Sequence, residues 1–197
     1  MNAFRMGFAF GLLVLSGALL YAADPATAPA AGPTDANGLS ATLVVNKDTY
    51  ALDPTQSGKD FRDRIDAMRK TGSRPPAPPQ VDLVLRLHNT TDKDLTISVG
   101  GDDSNISLKL DGPGAISILP NMPMTMEFRI GKPLAIPAGK TADIKLTSLM
   151  NGMRGTTEYN YWTEPGAYTL TATLTYPNAR GDAQTKVASA PAKVTVK

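Results

Sequence analysis

The run Tyr168-Thr169-Leu170-Thr171-Ala172-Thr173-Leu174-Thr175-Tyr176 alternates without a break. Tyr168, Leu170, Ala172, Leu174 and Tyr176 share one face, and the threonines take the other. A period of two is that of an antiparallel strand with one face buried and one wet. Threonine suits the wet face, because its β-branch stiffens the extended backbone while its hydroxyl stays in water. The chain has 21 threonines, so this preference extends beyond the single run.

The same alternation recurs on both sides. Val81, Leu83, Leu85 and Leu87 alternate with Asp82, Val84, Arg86 and His88. Leu95, Ile97 and Val99 follow, then Ile106, Leu108 and Leu110, then Met126, Phe128 and Ile130, then Ile144 and Leu146. Leu43 and Val45 open the series, and Val194 and Val196 close it. Turn chemistry separates the runs at 89–94, 100–103, 111–114, 137–140 and Pro165-Gly166. Many short strands with such punctuation predict an all-β fold, an immunoglobulin-like antiparallel β-sandwich over residues 39–197.

One segment departs from period two. In Lys59 to Lys70 (KDFRDRIDAMRK), Phe61, Ile65 and Met68 fall at helical spacing. Asp60 with Arg64 and Asp66 with Lys70 are expected as i,i+4 pairs. Thr71-Gly72-Ser73 ends the helix, and Pro75 to Pro79 is then extended polyproline. Residues 58–80 thus predict a short helical insertion with a Pro-rich return, placed after the first strand.

The N-terminus has the order positive, apolar, small: Arg5, an uncharged stretch from Met6 to Ala23, then Ala22-Ala23 before Asp24. That order predicts a signal peptide over 1–22, cleaved after Ala22 or, second, Ala18. The other reading is an uncleaved anchor, which is the only membrane contact the sequence suggests. Residues 23–38 are rich in Ala and Pro and predict a disordered tether. The expected location is exported: periplasm, cell surface or secreted.

Composition excludes several classes. The chain has 197 residues, 42% of them hydrophobic, a net charge of +2 and no cysteine. It supports a core without staples, while disulfides, thiolate metal sites and cysteine nucleophiles are impossible. The near-neutral charge argues against nucleic acid as a partner. The single histidine, His88, lies on the wet side of its run with no nucleophile at a recognisable spacing. The expectation is a protein that is not an enzyme and needs no cofactor.

Several patterns are candidate sites. Met122 and Met124, in Met122-Pro123-Met124-Thr125-Met126, carry soft thioether sulfurs that suit Cu(I), while Met126 packs inward. Tyr159, Tyr161 and Trp162 either stack on a sugar ring or plug the end of the core. Gly100 to Asn105 offers oxygens for Ca²⁺, at a spacing that matches no known loop. Arg180-Gly181-Asp182 is good hairpin chemistry, and Asn89 and Asn105 head glycosylation sequons. The insertion itself, through Phe61, Ile65, Met68, Pro76 and Pro79, either docks a partner or covers a sheet edge.

Three stretches carry a resemblance: Val81 to Asp92, Ile136-Pro137-Ala138-Gly139-Lys140, and Glu164-Pro165-Gly166-Ala167-Tyr168-Thr169-Leu170. They resemble exported bacterial Ig-like sandwiches. The nearest named type is the BsuPI-like intracellular proteinase inhibitor family of bacilli. In that family a strand ends in Asn and a polar turn, and a Pro-Gly-x-Tyr begins the last long strand. The match runs from about Val81 to Tyr176; the helical insertion and Pro-rich run depart from it. The resemblance implies an Ig-like fold and, as one alternative, proteinase inhibition. The function expected first is a binding or cell-envelope accessory module whose partner is a protein or glycan. The further alternative is a Cu(I) carrier through Met122 and Met124.

Overall fold

A computed structural model describes residues 29–102, 104–120, 128–152, 157–177 and 183–197. In chain order the elements are β1 (Leu39–Val45), β2 (Thr49–Tyr50), a 3-10 turn (Pro54–Gln56), α1 (Gly58–Thr71), β3 (Gln80–Asn89) and β4 (Leu95–Val99). There follow β5 (Asn105–Asp111), β6 (Ala115–Ile118), β7 (Lys132–Ile136), β8 (Thr141–Ser148) and β9 (Met150–Asn151). The chain closes with β10 (Glu158–Trp162), β11 (Gly166–Pro177), β12 (Gln184–Ala188) and β13 (Ala192–Val196).

The long alternating run forms β11, and its threonine face is the wetter one. A strand has two edges. β5 pairs along one edge of β11 from Thr169 to Thr175. β13 and β12 share the other, β13 over Gly166–Leu170 and β12 over Thr173–Pro177. At the join, Ser189 N donates to Ala172 O (2.8 Å), and Ala172 N donates to Ser189 Oγ (3.0 Å). One serine thus completes the ladder where the neighbouring strand changes. β2 adds to β13 in parallel.

The facing sheet is β1-β3-β8, all antiparallel. Leu39, Ala41 and Leu43 of β1 and Leu83, Leu85 and Leu87 of β3 meet Tyr168, Leu170, Ala172 and Leu174 of β11 in one continuous core. The fold is therefore an all-β, sandwich-like arrangement of antiparallel sheets, as the alternation predicts. A β4-β7 ladder and a smaller sheet, β6-β10-β9, complete it.

The helix is where the spacing predicts, and Gly72 closes it in the left-handed conformation (φ 69°), which costs glycine nothing. Its position differs in detail. β2 and the 3-10 turn intervene after the first strand, so the insertion departs from the sheet opposite β1. The ion pairs also differ: Lys59–Asp63 and Arg69–Asp66 form instead of the two expected. Arg64 is engaged elsewhere, donating to Thr55 O (3.2 Å) and lying over the Phe61 ring.

Two further expectations are corrected. Residues 128–130 are not a strand; Phe128 and Ile130 are 70% and 85% exposed. Arg129 instead exchanges two hydrogen bonds with Asp102, N to Oδ2 and O from N, both 2.9 Å. That pairing holds the segment against a loop rather than in a sheet. The last part of the expected tether is likewise seated on the sandwich. Gly32 N donates to Ala41 O (2.7 Å), and Tyr176 Oη donates to Asp35 Oδ2 (2.6 Å). The predicted signal peptide lies outside the described residues. Among those described, no helix is long and apolar enough to cross a membrane.

Candidate functional site

The expected docking residues lie together, and they cover one another. Phe61 and Ile65 of α1 are buried against Ile118, Tyr159 and Tyr161, with Met68 and Ile116 packed at the margin. Phe61 meets Tyr161 edge to face, centroids 5.2 Å apart at 70°, a geometry aromatic quadrupoles favour. Tyr161 Oη donates to Pro76 O (2.6 Å), Gln56 Nε2 donates to Ala77 O (2.9 Å), and Leu149 N donates to Pro79 O (3.1 Å). The Pro-rich return is thereby strapped down, leaving Pro76 and Pro79 half-buried. Burial pushes the Tyr161 phenol well above its ordinary range.

β10 explains the aromatic trio. Tyr159, Asn160, Tyr161 and Trp162 are all buried, because this strand has a core on each face. Tyr159 and Tyr161 point to the helix cluster, and Trp162 points to the main core, 5.2 Å from Tyr50 and 6.0 Å from Tyr168. Asn160 Nδ2 is satisfied by Leu108 O and Leu149 O. None of the three rings is a free platform for a sugar.

Other candidates resolve as follows. His88 is exposed beside Ser40 and Thr141 in the ladder, and its imidazole makes no hydrogen bond to either. Asn89 is fully buried: Nδ2 donates to Lys93 O and Ile136 O, and Oδ1 accepts from Thr91. It is a structural cap on the strand and is closed to a glycan. Met122, Met124, Met126, Asp103 and 180–182 lie outside the described residues. Among the described residues no group of three or more His, Asp or Glu side chains gathers as metal ligands.

One concave site lies elsewhere. A cleft of about 270 Å³ opens between β5, β8 and β9. Ile106, Leu108 and Leu146 form its apolar floor, with Met150 at the side. Gly100, Gly101, Asp102, Ser104, Arg129, Asn151 and Gly152 complete the lining. Two polar side chains in this lining are orphaned. Among the described residues, Ser104 (5% exposed) has no partner for its hydroxyl, and Asn151 (9% exposed) has none for either amide atom. A buried donor or acceptor without a partner costs on the order of 1–3 kcal/mol, so native proteins rarely leave several in one place. Asp102 accepts from Arg129 N through Oδ2.

The loop 100–105 was legible in the sequence as a polar turn, but its partners were not. Asn151-Gly152 reads as ordinary turn chemistry, and nothing in spacing reveals that the asparagine is buried. Arg129 sits in a run that mimics a strand. The comparisons add no family. No protein-family model matches this chain, and no curated protein matches it.

Proposed function

We propose that this protein is a non-enzymatic, exported binding module of the cell envelope, seating an apolar peptide side chain and its peptide group in the cleft between β5, β8 and β9. The observation that carries this reading is the pair of orphaned side chains, Ser104 and Asn151, above an apolar floor. A side-chain amide presents one donor and one acceptor side by side, the complement of a peptide group. About 270 Å³ is small beside the usual 300–1,000 Å³ of sites for whole small molecules. It suits one residue of a larger partner. A sugar is disfavoured, since the lining holds no aromatic ring and the aromatic residues of β10 are buried. Export rests on the charged, apolar, small order of the N-terminus.

The test uses N-acetyl amino-acid amides and monosaccharides as probes, read by ligand-observed NMR. Amides with branched apolar side chains should bind and be recovered chemically unchanged. Asn151→Leu should weaken them roughly tenfold, the loss expected when a buried polar pairing is removed. Binding of monosaccharides alone overturns the peptide reading. Binding of neither, or conversion of any probe, overturns the module.

A further inference from the structure

Sheet edges attract other strands unless something covers them. Several edges here are covered or blunted. Residues 32–38 and Ser189 lie along the start of β1. Gly152 N and Asn160 Nδ2 bond the outer carbonyls of β5 at Ile106 and Leu108. β7 carries Pro133, and β2 is two residues long. β8 is different. It is eight residues long, contains no proline and, among the described residues, pairs only with β3.

The ladder phase shows what that edge presents. Asn89 N donates to Lys140 O directly across the register (3.0 Å). Hydrogen-bonded pairs alternate along an antiparallel ladder. Ala142, Ile144 and Leu146 therefore turn their backbone groups to β3, and Thr141, Asp143, Lys145 and Thr147 turn theirs outward. On the inner face Ala142, Ile144 and Leu146 are only half-buried, unlike Leu83, Leu85 and Leu87 beside them.

We infer that β8 pairs with β8 of a second copy of this chain, antiparallel, about a two-fold axis through Ile144. The strand Thr141-Ala142-Asp143-Ile144-Lys145-Leu146-Thr147 is complementary to its own reverse. In this register Asp143 faces Lys145 of the second copy, twice over. Ala142 faces Leu146, and Ile144 faces Ile144. Registers centred on Asp143 or on Lys145 oppose like charges, which destabilises a cross-strand pair. Registers shifted by one residue mismatch the ladder phase. The charge pattern thus admits one of the neighbouring alignments. It also extends a charge row already present, because Asp143 takes Arg86 Nε and Nη2 at 2.8 Å on its own sheet, while Lys145 has no ion pair among the described residues. The product is one sheet, β1-β3-β8 continued by its symmetric copy, a closed isologous contact. This inference needs neither Ser104 nor Asn151, although Leu146 of β8 also lines the cleft.

The test is sedimentation velocity of the purified chain across the micromolar range, with variants. Wild type should pass from one to two copies with concentration. Lys145→Glu and Asp143→Lys, both on the wet face, should each weaken the dimer at least tenfold, and an equimolar mixture should restore it as a one-to-one pair. The chain has no cysteine, so Ile144→Cys reports the register. Non-hydrogen-bonded pairs lie about 4.5 Å apart at Cα, within disulfide reach. Ile144→Cys should link copies on mild oxidation, whereas Thr141→Cys should stay unlinked. A monomer at every concentration, a dimer indifferent to Lys145→Glu, or equal linking of the two cysteine variants overturns the inference.

Discussion

The two cores of this molecule are built on different terms. The main core joins β11 to β1 and β3 through aliphatic side chains spaced by two, and long ladders hold each strand on its neighbours. The helix cluster is a handful of side chains around Phe61 and Tyr161. Its margins are clamped by polar contacts: Tyr161 Oη on Pro76 O, Arg69 Nη2 on Ser117 O (2.6 Å), and Arg62 on Thr163 and Glu164. The first core is redundant in area. The second depends on individual bonds. A buried methylene lost from the first should weaken the whole molecule, whereas a bond lost from the second should loosen one segment.

The largest effect is expected in the main core. Leu170 is fully buried on β11, with β5 paired along one edge and β13 along the other. Leu170→Ala removes buried volume that rigid ladders cannot collapse around, and should cost about 2–5 kcal/mol. Denaturant unfolding read by far-UV circular dichroism and by tryptophan fluorescence should shift together, because Trp162 belongs to the same core. Separate shifts would show that the two cores unfold independently.

Tyr161→Phe tests the second core and should cost less, about 1–2 kcal/mol, by leaving the Pro76 carbonyl without its donor. The ring stays, so the contact with Phe61 survives. Hydrogen exchange should rise in α1 and the Pro-rich return and stay unchanged in β11. Equal acceleration everywhere would erase the distinction between the cores.

Legibility divided along the same line. Period two disclosed β11, β3 and their faces, because a strand with one wet face writes its environment into alternate residues. β10 defeated that rule. Tyr159-Asn160-Tyr161-Trp162 has a core on each face, so nothing alternates, and the sequence alone left open whether the aromatics stack on a ligand or plug the core. The helix at 58–71 was legible from Phe61, Ile65 and Met68, but the helix spacing says only that one face is apolar, and leaves open whether the chain itself or a partner covers it. Phe128 and Ile130 failed the other way: they alternate yet stand in water, because pairing with Asp102 fixes Arg129 and no sheet follows. The cleft was the least legible part. Its distinguishing feature is a missing partner for Asn151, and absence of a partner is a property of the fold, with no residue pattern of its own.

Asn151→Leu should move stability in the opposite direction. It replaces an orphaned amide by an apolar group of similar shape and should raise stability by roughly 1 kcal/mol, since the penalty of an unpaired buried group disappears. The same change should weaken probe binding. Thermal unfolding in the absence of any probe separates the two readings. A variant less stable than wild type would mean that Asn151 is satisfied in solution, and the site would lose its distinguishing feature.

The smallest effect belongs to the wet face of β8, where neither core is touched. The Arg86 guanidinium holds the Asp143 carboxyl below the usual carboxylate range by hydrogen bonding first. A folded pKa below the unfolded one means that the native state binds fewer protons through that interval. The contribution to stability is present above the unfolded value, near 4, and is lost as pH falls through the folded value. Both side chains are nearly half exposed (47% and 43%), so water screens the pair and Arg86→Met should lower the thermal midpoint by under about 2 °C at neutral pH. The carboxyl titration of Asp143, followed by NMR, should move up toward the ordinary value in that variant. Acid should also separate the two copies, because protonated Asp143 no longer attracts Lys145 across the two-fold. Titration of Asp143 at the ordinary value in the wild type would show that the Arg86 contact is absent in solution, and β8 would then present its charges unpaired on both sides.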